Sequence, residues 1–395
     1  MRRPTPRFTA TVSTTGLRTV PFNRPHVAEN ELDYIAEVVR SGRTSGDGAF
    51  TRRATGLLSE LTGANDVVLT TSCTHALEMS AILLDLQPGD EVIVPSFTFM
   101  STANAFALRG AVPVFVDCRP DTLNIDERLI EGAVTERTRA IAVVHYAGVA
   151  CAMEVIGELA ERYGLALVED NAHGLGGSYQ GRPLGSFGAM AAQSFHETKN
   201  VQCGEGGALI LNDPALMARA EIIREKGTDR SRYFRGQVDK YRWVDIGSSY
   251  LPSDLLAAQL AAQLEFFRVT QLRRHAVWQA YHEGLADWAA GNGISQPMVP
   301  DGCAHPAHLY YLLFPDIANR QAFIDHLAGR GVQALFHYQP LHCAPAGLRY
   351  GRPATGGCPV TEQVADTLVR LPLFADLAED DVAHVIEAAR DYEVS

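Results

Sequence analysis

Ala189-Met190-Ala191-Ala192 runs without a charge toward Ser194-Phe195-His196-Glu197-Thr198-Lys199-Asn200, and a glycine-rich turn, Cys203-Gly204-Glu205-Gly206-Gly207, follows. An apolar run ahead of a polar turn marks a buried strand, so Lys199 is placed just past a strand end with little side-chain freedom. Burial lowers the pKa of a lysine, and the neutral amine can condense with an aldehyde. The chain has three lysines, Lys199, Lys226 and Lys240, beside abundant arginine. A solvated loop charge is the plainer reading of a single lysine, and partners elsewhere in the chain decide between the two.

Outward from this stretch, short apolar strands alternate with helices. Strands are expected at 67–70, 91–95, 112–116, 140–144, 165–168 and 208–211, and helices at 31–39, 75–86, 153–163 and 214–224. Short strands that are apolar throughout are covered on both faces, so the fold class is α/β, a mostly parallel sheet between helical layers. Ligands in such sheets sit at the carboxyl ends of the strands, where Phe99, Asp170 and Lys199 all fall. Residues 1–20, rich in Arg, Thr and Ser, read as a flexible tail; 21–262 form the large domain, and 263–395 a smaller α+β domain. Within and beside the latter, 253–288 read as one long helical region, 309–313 and 333–336 as strands, and 320–328 and 380–392 as helices.

Composition narrows the function. With 46% hydrophobic and 20% charged residues this is an ordinary globular chain. A formal net charge of −12 argues against nucleic acid or an anionic membrane as the main partner. Seven scattered cysteines without a CxxC pair indicate neither a disulfide framework nor a structural zinc, and fit a reducing cytoplasm. No apolar run reaches the length of a membrane span. Two loops stay open: 44–48 is a close-approach glycine loop or a plain connection, and 226–243 an anion-contacting flap or a solvated surface.

Four features converge on pyridoxal phosphate, which needs an amine to bind its aldehyde, an acid beside its ring nitrogen, a phosphate cradle and a stacking partner. Lys199 supplies the first and Asp170 the second. The small-residue turn Ser72-Cys73-Thr74 opens a helix after a strand and presents free amides and the positive end of the helix dipole. With Ser194 it forms the cradle, and Phe99 covers the ring. Singly, each has a structural reading: Ser and Thr cap helices, Asp170 makes a turn, Phe99 packs in a core, and Ser194 ends a strand.

Ser194-x-His196-x-x-Lys199, Glu169-Asp170, Pro95-x-x-Thr98-Phe99 and Pro340-Leu341-His342 resemble the DegT/DnrJ/EryC1/StrS sugar aminotransferases, which have the fold-type I aminotransferase architecture. The likeness runs from about Val20 onward. Residues 194–200, 234–241 and Phe336-His337-Tyr338 are similar to TDP-4-keto-6-deoxyglucose 4-aminotransferases. The resemblance implies transfer of an amino group from glutamate to a nucleotide-linked 4-keto sugar, with Lys199 as proton shuttle. His196, Tyr338 and His342 would meet the substrate, and His173 the phenolic oxygen of the cofactor. The family usually has glutamine at that last position, and histidine would make the bond pH-sensitive. Where the family carries Gly-x-Asn-x-Arg-Met, this chain has Gly247-Ser248-Ser249-Tyr250-Leu251-Pro252. The resemblance thus assigns to Ser249 a phosphate contact made across a homodimer with shared active sites.

Three alternatives accompany this expectation. The acceptor is a 4-keto pentose; the chain is a non-catalytic regulatory relative that binds a sugar nucleotide, which would have no need of Lys199 and Asp170; or it is another pyridoxal phosphate enzyme, in which an arginine clamps a substrate carboxylate.

Overall fold

The computed structural model describes residues 18–394; residues 1–17 of the expected tail lie outside them. Eight strands form one sheet, in the order Asp66–Thr70, Gly207–Leu211, Met190–Ser194, Ala166–Asp170, Thr138–Val144, Glu91–Pro95, Val112–Val116 and Arg352–Pro353. Gly207–Leu211 runs antiparallel to both of its neighbours, and the remaining pairs are parallel.

Strand alternation explains why both faces are apolar. Ala140 and Ala142 pack with Leu77, Phe106 and Ile223 on one face. Ile141 and Val143 between them pack with Ile130 and Ile156 on the other. Val68 and Leu69 divide in the same way, the first against the helix Cys73–Leu83, the second toward the helices Ala49–Thr62 and Asp254–Glu265. Helices on both faces leave the carboxyl ends of the strands as the open rim.

The helical region 253–288 is three helices, Asp254–Glu265, Phe267–Gly284 and Ala286–Gly291. Neither proline nor glycine breaks the first junction; packing does. Ala257, Ala261 and Leu264 bury against the large sheet. Val277, Trp278 and Tyr281 bury in a second core with Tyr310, Phe323 and Val385. The chain turns at Phe266 (φ −89°, ψ 2°) to serve both. The division between large and small domains, read at 262–263, is a proposal that we attach to this change of packing partner.

The second core surrounds an antiparallel pair, Tyr310–Leu313 with Leu368–Leu371. The strand expected at 333–336 does not form a ladder, because Val332 pairs with Val20 on one side and Leu335 with Arg370 on the other, one pair each. That split leaves 335–338 free to lead side chains into the cavity. Residues 226–243 include the helix Arg230–Phe234 and are largely exposed, with Phe234 at 67% and Trp243 at 80%.

Candidate active site

A cavity of about 1240 Å3 opens at the carboxyl ends of the strands. Asp170 ends its strand inside this cavity, with Cα paired to that of Ala192 two residues before Ser194. Strand alternation sends Glu169 the other way. Glu169 is fully buried and accepts the amides of Gly185, Phe187 and Gly188 at 2.8, 2.6 and 2.7 Å, with His145 Nε2 at 2.9 Å. His145 Nδ1 accepts the Cys151 amide at 3.2 Å, so its proton is on Nε2 and points at Glu169. Of the Glu169-Asp170 pair, one residue anchors a loop and the other faces the cavity.

Thr102 Oγ1 donates to Asp170 Oδ2 at 2.7 Å and is itself 2.8 Å from Thr98 Oγ1; the Ala172 amide donates to Oδ1 at 3.2 Å. Burial raises the Asp170 pKa, and Thr102, the Ala172 amide and Lys199 oppose it. A carboxylate in that condition favours a cationic N–H as partner. Lys199 lines the same cavity, half-buried, and burial brings its amine down to about 8, with Cys73 and Asp170 pulling the other way. Lys226 and Lys240 do not line the cavity.

The turn before the helix Cys73–Leu83 is capped by Ser72 Oγ, which accepts from the His75 amide at 3.1 Å. That leaves the amides of Cys73 and Thr74 without an acceptor among the described residues, at the positive end of the helix. Gly207 closes against the turn: a Cβ there would lie 2.4 Å from the Cys73 nitrogen. Ser194, His196, Phe99 and Tyr338 all line the cavity. Phe99 is 51% exposed and 6.4 Å from the Tyr338 ring, so it forms a rim rather than a core.

His173 also lines the cavity. It stacks on His308 at 4.2 Å, and its Nε2 is 3.3 Å from the Tyr338 hydroxyl. Its Nδ1 is buried without a partner among the described residues. Burial holds its pKa well below 6.5, helped by the charges of Lys199 and Arg370. Burial thus disfavours the protonated imidazole, against the expectation of a pH-sensitive contact there.

Two expected residues stand elsewhere. His342 is buried but does not line the cavity; Ser96 Oγ lies 2.7 Å from its Nδ1 and Glu362 3.1 Å from its Nε2. Its ring ties the 340–343 turn to Ser96. Ser249 is exposed outside its own chain's cavity and pairs with Glu225.

Sequence reasoning missed Thr102, His308, His337 and Arg370. Thr102, four residues past Thr98, was within reach of helical spacing from a quoted motif. His337 was quoted beside Tyr338 but given no role; its Nδ1 is 2.8 Å from the Tyr146 hydroxyl. No local pattern marks His308 or Arg370.

Pyridoxal phosphate fits these residues: the unpaired His173 Nδ1, the free amides at Ser72-Cys73-Thr74, the desolvated Asp170 carboxylate and Lys199 supply its needs. Comparison with known proteins agrees. Residues 25–390 match the DegT/DnrJ/EryC1/StrS aminotransferase family. The aminotransferase TlmJ of Streptoalloteichus hindustanus is 32% identical, covering 94% of this chain and 98% of its own, with a TM-score of 0.86. DesV of S. venezuelae is 32% identical over 92% and 94% of the two chains, TM-score 0.83. The sugar aminotransferase Spr1654 of Streptococcus pneumoniae, solved in a PLP form, is 27% identical over 94% and 98%, TM-score 0.85.

Proposed function

Since the chain belongs to the DegT/DnrJ/EryC1/StrS aminotransferase family and is a pyridoxal-phosphate-dependent aminotransferase, we propose that it moves an amino group from glutamate to C4 of a nucleotide-linked 4-keto-6-deoxy sugar, with TDP as the nucleotide. The observation that carries this is the joint presence of a desolvated lysine and a buried strand-end carboxylate in one large cavity. At about 1240 Å3 the cavity exceeds the ordinary 300–1,000 Å3 of a single-ligand site, leaving room for a nucleotide-sized substrate beside a cofactor.

The cofactor, when bound, supplies an electron sink for the carbon whose proton is removed. Asp170 keeps the ring nitrogen protonated, oriented by Thr102 and the Ala172 amide. Lys199, with a pKa of about 8, carries a proton to and from the reacting carbon close to neutral pH. The Cys73 and Thr74 amides and Ser194 hold the phosphate, Phe99 covers the ring, and His173 meets the phenolic oxygen. His196 and Tyr338 face the sugar.

A homodimer belongs to the same reading. Ser249 lies on an exposed strip with Trp243, Val244 and Ile246, all more than 40% exposed, and an apolar strip of that kind suits a second copy across a two-fold axis. Monomers at sedimentation equilibrium would overturn it. The free cysteines suit a cytoplasmic setting. No helix among the described residues is long and apolar enough to cross a membrane.

The decisive experiment is incubation of the holoenzyme with glutamate and a panel of nucleotide 4-keto sugars, the product assigned by NMR. A C4 amine on a TDP-linked 6-deoxyhexose is the expected result. Turnover of keto acids alone, or of pentoses in preference, would overturn the assignment.

A further inference from the structure

Arg370 is a second cation of the cavity, and the reading above gives it no task. Among the described residues lining the cavity it is the one arginine, as Lys199 is the one lysine. Its backbone is held from two sides: it pairs with Tyr311 in the strand Leu368–Leu371, and bonds Leu335 both ways at 2.7 and 3.1 Å.

Its side chain is held too. Nε and Nη2 both donate to the Phe336 carbonyl, at 3.2 and 2.8 Å, and Cζ lies 4.8 Å from the centre of the Phe22 ring. One edge and one face of the guanidinium are thus occupied. The opposite edge, from Nη1 to the second N–H of Nη2, meets no acceptor and no carboxylate among the described residues. Burial lowers the pKa of this guanidinium below its ordinary value. A half-buried cation with no carboxylate partner among the described residues favours an anionic ligand.

We propose that the free edge of Arg370 is a carboxylate-binding subsite, gripping a carboxylate of the amino-acid donor at two points while the donor gives up its amino group. This rests on the aminotransferase reading and adds a residue to it. The planar fork matches a carboxylate. Position favours the donor over the sugar nucleotide. Arg370 is near enough to Lys199 for its charge to disfavour protonation of the amine. An amino acid carries a carboxylate on the carbon that reacts, whereas a nucleotide-linked 4-keto sugar carries its diphosphate on C1, across the ring from C4.

The test uses holoenzyme with Arg370→Gln and Arg370→Lys. Glutarate, a dicarboxylate with no amine to react, is titrated by calorimetry, and each half-reaction is followed alone through the absorbance of the cofactor. Arg370→Gln should weaken glutarate and raise the half-saturating glutamate concentration by about 10- to 100-fold, while half-saturation by the keto sugar nucleotide shifts by less than about threefold. Arg370→Lys, keeping charge without the fork, should fall between. Unchanged glutarate binding in Arg370→Gln would overturn the proposal, as would a loss confined to the sugar nucleotide or shared equally by both half-reactions. If Arg370→Gln does not fold, wild-type glutarate affinity in Arg370→Lys does the same. A wild-type enzyme that accepts the amino group from glutamate but gives it to no keto sugar would end the sugar reading and leave this one standing.

Discussion

The wall of the cavity that carries Asp170 and Lys199 and the wall that carries His308, His337 and Arg370 are built differently. The first is built on neighbouring parallel strands, whose register pairs Asp170 with Ala192 in the strand that leads into the Lys199 turn. The second comes from the C-terminal third, brought in by packing of Phe97 and Tyr146 against Leu309 and Tyr311. Rigid sheet geometry suits groups that must stay within reach of one reacting carbon. A wall held by side-chain packing can change its lining without disturbing that geometry. On the proposed function, reaction chemistry belongs to the first wall, while contacts to the substrates come from both, His196 on the first and Tyr338 and Arg370 on the second.

The largest effect should come from Lys199→Ala, which on the proposed function removes the proton carrier and the amine that binds the cofactor. Turnover should fall on the order of 10⁴-fold or more. Borohydride reduction followed by peptide mapping should tag Lys199 in the wild type; a tag on Lys226 or Lys240 would move the chemistry out of the first wall altogether. The pH dependence has a definite sign. The amine is neutral above its pKa of about 8, so capture of added cofactor by the apoenzyme should rise through that pH and level off.

Asp170→Asn comes next. The amide still accepts from Thr102 but puts no negative charge beside the ring nitrogen, and a placed charge is worth a few kcal/mol, hence on the order of a hundredfold or more in turnover. Urea melts should show the fold retained. Near-wild-type turnover would show that the first wall owes little to this charge.

The two walls also differed in how far they could be read from the residues. Apolar runs located each strand near Asp170 and Lys199, because a buried strand must be apolar on both faces. Asp170 was legible because it is an acid at the carboxyl end of such a strand, where ligands of an α/β sheet sit. His308 and Arg370 carry no such contrast. Arg370 sits in Leu368-Val369-Arg370-Leu371, of which Arg370 and Leu371 line the cavity, and only the pairing with Leu335 and Tyr311 reveals it. His342 misled for the opposite reason, since a quoted motif placed it at the substrate while Ser96 and Glu362 hold its ring behind the wall. The break at Phe266 was invisible because helix propensity continues through it, and two cores pulling on successive turns impose it.

The smallest effect tests the seam between the walls. His173 leaves the first wall just after Asp170, yet stacks on His308 of the second, and its Nδ1 is buried with no partner among the described residues. Burial lowers its pKa well below 6.5, with Lys199 and Arg370 disfavouring the proton further. A base with a depressed pKa is already neutral at the pH where a free histidine would still be half protonated, so it has no proton to lose between about pH 6 and 8. His308 shares the condition, and its Nδ1 proton is committed to Asn200 Oδ1 at 2.9 Å because the Asn200 amide nitrogen donates to Pro306 and Gln271. His173→Gln keeps a hydrogen-bonding group of similar reach and should lower turnover by less than about tenfold, a loss of roughly one neutral hydrogen bond. More tellingly, the cofactor absorbance of the wild type and of His173→Gln should show the same flat dependence over that pH range. A wild-type transition near pH 6.5 that His173→Gln abolishes would mean that water or charge reaches this seam, and that the two walls do not close on each other as tightly as the stacked imidazoles indicate.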